Sequence, residues 1–169
     1  MKNVAIITGP GFQDEEFVYP YYRFLEAGAV VEVVTSTGLD VFGKYGVPAR
    51  ATSSSADLDA SKFDMVYLPG GFEAPDRVRT DLNVLKFVAE MNDNGKLIAA
   101  ICHGPWVLIS ARVVKGRKMT GYMSIKDDIV NAGAEFVDAE VVVDGNLITS
   151  PHYRNNPVFM ETVIAHLER

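Results

Sequence analysis

Three groups of residues in this chain are of kinds that do chemistry on a carbonyl: Cys102 followed directly by His103, the acids Asp14-Glu15-Glu16, and the pair Gly70-Gly71. A thiol acts as a nucleophile when one neighbour manages its proton and another stabilises the oxyanion its attack creates. His103 can serve as a base or a cationic neighbour. Glu16, buried beside a thiol, would keep its proton and could donate it to a thiolate or shuttle it. Gly70 and Gly71 carry no side chains to block a ligand, so the N–H groups of Gly71 and His103 can form a two-donor oxyanion hole. Each group also has an ordinary use. A free cysteine is often a small buried apolar residue, acids in a first turn complement the helix dipole, and Gly-Gly makes a tight turn. Both uses stay open on the local pattern alone.

The elements that must position these groups are readable from periodicity and punctuation. Leu97 to Ile101 is an apolar run suited to a buried parallel strand, and Pro105 opens a helical stretch to Ala111. Cys102 therefore falls on a strand-to-helix turn, where a helix N-terminus favours thiolate over thiol. Val4–Thr8 predicts a first strand that ends at Gly9-Pro10-Gly11, and the acids open a helix that stops at Gly28. Val30–Thr35 and Met65–Leu68 read as strands, with Pro69-Gly70-Gly71 ending the second. Gly38–Ala51 predicts a small hairpin excursion, and Asp81–Asn94 carries the stripe of an amphipathic helix. Met119–Tyr122 is expected as a strand, Ile125–Asn131 as a helix, Val141–Val143 and Leu147–Thr149 as a hairpin about Asp144-Gly145, and Phe159–Leu167 as a closing helix. Alternation of strand and helix predicts an α/β fold with a mostly parallel sheet between helical layers, and ligands beyond the carboxyl ends of its strands. Three loops at that edge, Gly9–Glu16, Pro69–Asp76 and Cys102–Pro105, hold the residues named above.

Composition narrows the function classes. The chain has 169 residues, 48% hydrophobic and 22% charged, which suits one domain spanning 1–169 with a sizeable core. A net charge of −6 without a basic stripe disfavours nucleic-acid binding. Lys115-Gly-Arg117-Lys118 is the one basic cluster, expected in a turn after a helix. A single cysteine makes no disulfide within the chain, and no secretory or 18-residue apolar segment is evident, so a cytoplasmic location away from membranes is expected. One Cys with three scattered His residues gives no zinc spacing, and Gly9-Pro10-Gly11 does not complete a dinucleotide fingerprint. No metal and no cofactor are expected.

Taken together, Ala100-Ile-Cys-His-Gly-Pro105, Leu68-Pro-Gly-Gly71, Gly11-Phe-Gln-Asp-Glu-Glu-Phe-Val-Tyr-Pro20, Lys115-Gly-Arg-Lys118 and Asp138-Ala-Glu-Val-Val-Val-Asp-Gly145 resemble the ThiJ/PfpI superfamily, nearly end to end, and within it the PfpI-type intracellular peptidase branch. The resemblance implies a flavodoxin-like three-layer sandwich related to class I glutamine amidotransferases, with the cysteine at a nucleophile elbow. It implies Cys102 as nucleophile, His103 as the adjacent catalytic histidine and Glu16 as the carboxyl against the thiol. In PfpI-type proteins a further acid from a neighbouring subunit orients the histidine. Here Asp76 holds that place, in a loop with one extra residue that includes Glu73. The segment Thr149–Pro157 differs from the shorter form of close relatives and contains His152, a substrate-facing candidate. Tyr122 stands where some branches place a histidine facing the thiol.

Three functions follow from that resemblance and the thiol. One is a cofactor-independent glyoxalase or protein deglycase acting on 2-oxoaldehydes or their adducts through a hemithioacetal at Cys102. The second is a cysteine peptidase acting through an acyl-enzyme, and the third is a redox-sensing stress protein or chaperone in which Cys102 is oxidised. The resemblance also implies a homo-oligomer, a dimer or a hexamer.

Overall fold

The computed structural model describes all 169 residues. Strands β1 (Asn3–Ile7), β2 (Val30–Thr35), β6 (Met65–Leu68), β7 (Leu97–Ile101) and β11 (Leu147–Ser150) form the body of one sheet. With β5 (Ser53–Ser54) at one edge and β10 (Val142–Asp144) at the other, its order is β10-β11-β7-β6-β1-β2-β5. All neighbours are parallel except β10, which returns antiparallel on β11 through the Gly145 turn. Two short ribbons lie outside the sheet: β3 (Val41–Phe42) with β4 (Pro48–Ala49), and β8 (Lys118–Met119) with β9 (Glu135–Phe136).

Strands buried on both faces explain the unbroken apolar runs. Val4, Ile6, Met65, Tyr67, Ala99 and Ile101 point to one layer, which is closed by α1 (Asp14–Glu26) and α6 (Asn156–Leu167) through Phe17, Phe24, Phe159 and Met160. The alternate residues Ala5, Ile7, Val66, Leu68, Ile98 and Ala100 face a second layer. Helices α3 (Leu82–Asp93), α4 (Pro105–Ser110) and α5 (Lys126–Asn131) cover that side. Asp81 caps α3 by accepting the N–H groups of Asn83 and Val84. No helix is long and apolar enough to cross a membrane.

The expected elements are present, with several differences. The Met119–Tyr122 strand shrinks to β8, because Thr120 N–H bonds the Thr149 side chain and Tyr122 N–H bonds the Cys102 carbonyl instead of a ladder. The closing helix starts at Asn156, with Pro157 inside its first turn. Glu73–Val78 forms a short helix, α2, where a loop was expected. In the basic cluster, Arg117 braces the β10–β11 turn by bonding Asp144 and Asn146.

The sheet order carries the functional consequence. From β1 the chain runs through α1 to β2 on one side, then crosses back to β6 on the other. The loops after β1 and β6 therefore part at their carboxyl ends, the place where open α/β sheets bind ligands.

Candidate active site

Cys102 sits at the end of β7 with φ of +61°, a left-handed conformation for a residue that is not glycine. Such a backbone costs of order 1–3 kcal/mol and persists only when its surroundings impose it. They do so from three sides. Cys102 N–H donates to the Ser150 carbonyl at 2.9 Å, the Cys102 carbonyl accepts Tyr122 N–H at 2.8 Å, and Gly104 N–H returns to the Ile101 carbonyl at 2.8 Å. A Cβ at Gly104 would run into the carbonyl oxygens of Leu68 and Ile101, so only glycine lets α4 start this close to β6.

Glu16 reaches the thiol from the first turn of α1. It is fully buried, and the Tyr67 hydroxyl anchors its backbone by donating to the Glu16 carbonyl at 2.8 Å. Its Oε2 accepts Gly70 N–H at 2.8 Å, Oε1 is buried with no hydrogen-bond partner, and the carboxyl is close enough to the Cys102 thiol for each to shift the other's pKa. Gly70 is the spacer between them, since a Cβ there would strike both Glu16 Oε2 and the Cys102 Cβ. Gly71 has φ of +78° and packs on the backbone of Gln13. Its N–H and that of His103 lie near enough to the sulfur to favour its thiolate. The two donors proposed for an oxyanion therefore stand beside the reacting atom.

Burial pushes the Glu16 carboxyl up to about 8, against the opposing pull of the Gly70 N–H. Glu16 is thus a neutral acid at pH 7. The thiol is also pushed up, first by burial and then by the nearness of the Glu16 charge. This corrects the expectation that the helix N-terminus favours thiolate over thiol at Cys102: α4 spans only six residues, and burial raises the thiol instead. The Glu16 penalty requires an ionised carboxylate. While Glu16 holds its proton, that penalty is absent and the two backbone donors act on the sulfur unopposed by it.

His103 lies between two polar partners, with Nδ1 at 3.2 Å from Cys102 Sγ and Nε2 at 3.2 Å from Ser124 Oγ. Burial first, and the Lys44 charge second, hold its pKa below the usual histidine range, against Asp128. The imidazole is accordingly neutral at pH 7 and fit to accept a proton. Tyr122 stacks on it at 5.1 Å, His152 stacks on Tyr122 at 6.1 Å, and Tyr153 lies 4.1 Å beyond His152.

These groups open onto a cavity of about 270 Å³. Of the sequence candidates, Cys102, His103, Glu16, Gly71, Tyr122 and His152 line it, and Gly70 braces its floor. Asp76 does not join them within one protomer: it is exposed on α2 and makes no bond to His103. Glu73 is no substitute, because it pairs with Arg77 at 3.1 Å and packs over Gly11. The wall also contains Lys44, Tyr45 and Gln13, which sequence reasoning did not single out. Lys44 is at the tip of the β3–β4 hairpin, held against α1 where Asp14 accepts the N–H groups of Tyr45 and Val47 at 3.0 Å each. The glycines at 43 and 46 marked that turn, but nothing local showed where it points.

The family model described as the DJ-1/PfpI family matches residues 2–166. A deglycase of Thermococcus kodakarensis is 44% identical over 149 residues, covering 88% of this chain and 89% of the relative. A protein/nucleic acid deglycase of Escherichia coli is 40% identical over 161 residues, covering 94% and 93%. Among solved structures, a two-domain protein of Anabaena variabilis with DJ-1/ThiJ/PfpI-like and ferritin-like domains superposes with a TM-score of 0.96 at 39% identity. It covers 99% of this chain, and the chain spans about half, 48%, of that protein. With a cysteine elbow, a buried acid against its sulfur and these likenesses over nearly its whole length, the chain belongs to the DJ-1/PfpI family.

Proposed function

We propose that this chain is a cysteine-dependent, cofactor-independent enzyme of glyoxalase or protein-deglycase type, acting on 2-oxoaldehydes or their adducts. The observation that carries the reading is Glu16, a fully buried carboxyl protonated at neutral pH against the Cys102 thiol. Hydration of a 2-oxoaldehyde to a 2-hydroxy acid needs an acid and a base at one small site and no external electrons.

In the first step the Cys102 thiol passes its proton to His103 and its sulfur adds to the aldehyde carbon. A C–S bond forms, the C=O π pair moves to oxygen between the N–H groups of Gly71 and His103, and Glu16 supplies the proton that completes a hemithioacetal. Next Glu16, now a carboxylate, takes the proton from the carbon bearing sulfur while protonated His103 protonates the neighbouring carbonyl oxygen. The resulting enediol gives its first hydroxyl proton to His103 and receives the Glu16 proton at the second carbon. This gives a thioester of the 2-hydroxy acid. Water then cleaves the C–S bond, releasing the acid and restoring the thiol. For methylglyoxal the sum is one water added and lactic acid formed.

The same nucleophile would serve a peptidase, but a 270 Å³ cavity suits a small carbonyl better than a peptide. The test is lactate formation from methylglyoxal without glutathione, compared with a panel of fluorogenic peptides. Wild type should form lactate, and Cys102→Ala should lose at least about 10³-fold in rate. Peptide cleavage without aldehyde turnover would replace this reading with the peptidase. Stoichiometric oxygen addition at Cys102 under mild peroxide, with no turnover of either substrate, would replace it with the sensor.

Asp76 enters as a residue given by a second copy to His103, consistent with its exposure in one protomer. Mixing Cys102→Ala subunits with Asp76→Ala subunits should then restore activity that neither has alone, because a mixed dimer holds one complete site. Failure of mixing to restore any rate, or a monomer in sedimentation, removes Asp76 from the site.

A further inference from the structure

Among the residues lining the cavity, Lys44 is the one lysine or arginine. His103 is held neutral, and His152 is pushed down as well, by burial and then by Arg154. The ammonium forms no ion pair: no carboxylate lies within 4 Å of Nζ, although Asp14, Glu15 and Glu16 stand on the adjoining turn of α1. Each of those acids is otherwise committed. Asp14 accepts the hairpin N–H groups, Glu15 accepts the Gln13 side-chain amide at 2.7 Å, and Glu16 is neutral.

Two contacts hold the ammonium over the cavity. Nζ donates to Gln13 Oε1 at 3.4 Å and lies 5.3 Å from the centre of the Phe72 ring, on the loop that carries Gly71. An ammonium has three hydrogens, so these contacts leave at least one free. The backbone beneath is fixed too, with Lys44 N–H donating to the Phe12 carbonyl at 2.9 Å.

We propose that Lys44 forms an anion subsite that takes the carboxylate of a small 2-oxo or 2-hydroxy acid lying in the Cys102 cavity. A charge-assisted bond to a carboxylate completes the ammonium and places the neighbouring carbonyl or carbinol carbon on the cysteine side. The proposed reaction creates such an anion from a neutral aldehyde, so product retention at Lys44 follows, a consequence that rests on the proposed function. Binding of the acid itself does not rest on it.

The experiment compares lactate with lactamide, equal in shape and different in charge, by ligand-observed NMR on wild type, Lys44→Met, Lys44→Gln and Lys44→Arg. Wild type should bind lactate about tenfold more tightly than lactamide, Met and Gln should abolish the preference, and Arg should keep most of it. Added salt should erode the preference in wild type. No detectable lactate binding, equal affinity for the two compounds in wild type, or a preference unchanged in Lys44→Met each overturns the subsite. Methylglyoxal turnover is measured on the same wild-type sample. Turnover without lactate preference sinks the subsite and leaves the reaction standing, whereas lactate preference without turnover does the reverse.

Discussion

The floor and the rim of the cavity are built by opposite means. At the floor, Cys102 is 7% exposed, Glu16 is fully buried, and every distance is set by backbone: a left-handed turn, two glycines and three parallel strands. At the rim, Lys44, Tyr45, Phe72, Tyr122 and Ser124 are exposed side chains on a hairpin tip and short turns. The difference separates two tasks. Proton transfer needs groups held to a fraction of an ångström in a dry place, and substrate choice needs side chains that can be exchanged without disturbing that place.

The sharpest way to break this division is Glu16→Gln, which keeps the shape of the floor and removes its proton. Turnover should fall about 10³-fold, within the usual range for a general acid. In wild type, rate should decline as pH rises past about 8, where Glu16 ionises, and the variant should lack that limb. The same substitution should raise stability at neutral pH. The folded pKa lies above the ordinary 4.5, so the contribution of Glu16 is intact below about pH 4.5 and is lost as pH climbs towards 8. By pH 7 the loss is about 3 kcal/mol. Thermal unfolding of wild type should therefore weaken from pH 5 to pH 8 while Glu16→Gln stays flatter and melts higher at pH 7. A variant that melts lower at pH 7 would mean that the floor carries no electrostatic strain.

A second test moves geometry and leaves chemistry alone. In Gly70→Ala the new methyl occupies the space between Glu16 and Cys102 and must drive them apart. A displacement of that size should cost about 100-fold in kcat with a smaller change in KM. An Ala variant of near-normal rate would show that the floor is compliant, and the contrast with the rim would dissolve.

How much of each region was legible in the sequence follows the same line. The floor was largely readable, because its parts are local signals: an apolar run, then Cys102-His103-Gly104-Pro105, and acids opening a helix after a glycine loop. What escaped was energetic. The high thiol pKa depends on a carboxyl 86 residues away and on burial, neither of which a turn motif reports. The left-handed φ at Cys102 was hidden too, since such positions are usually marked by glycine. The rim was mostly illegible. Lys44 meets Gln13 across 31 residues and Ser124 meets His103 across 21, and neither contact has a spacing rule behind it. Helix α2 was missed because Glu73-Ala-Pro-Asp76-Arg-Val78 is one short turn and a half with proline inside, indistinguishable from loop by composition.

The gentlest probe lies where floor and rim meet, at Ser124. Its hydroxyl can donate to His103 Nε2, which leaves the ring hydrogen on Nδ1 facing sulfur, or accept from Nε2, which leaves Nδ1 free to take the thiol proton. Ser124 therefore positions the imidazole without touching the reacting carbon. Ser124→Ala should lower kcat about fivefold, the worth of one neutral hydrogen bond, with KM nearly unchanged, and Ser124→Thr should recover most of the loss. The informative readout is the His103 titration followed by NMR. Removing the hydroxyl should shift its midpoint while the Glu16 limb near pH 8 stays in place, since burial and the Gly70 N–H, not Ser124, set the carboxyl's pKa. A Ser124→Ala variant that moves both would show that the rim sets the chemistry of the floor, and that the two regions are one coupled site.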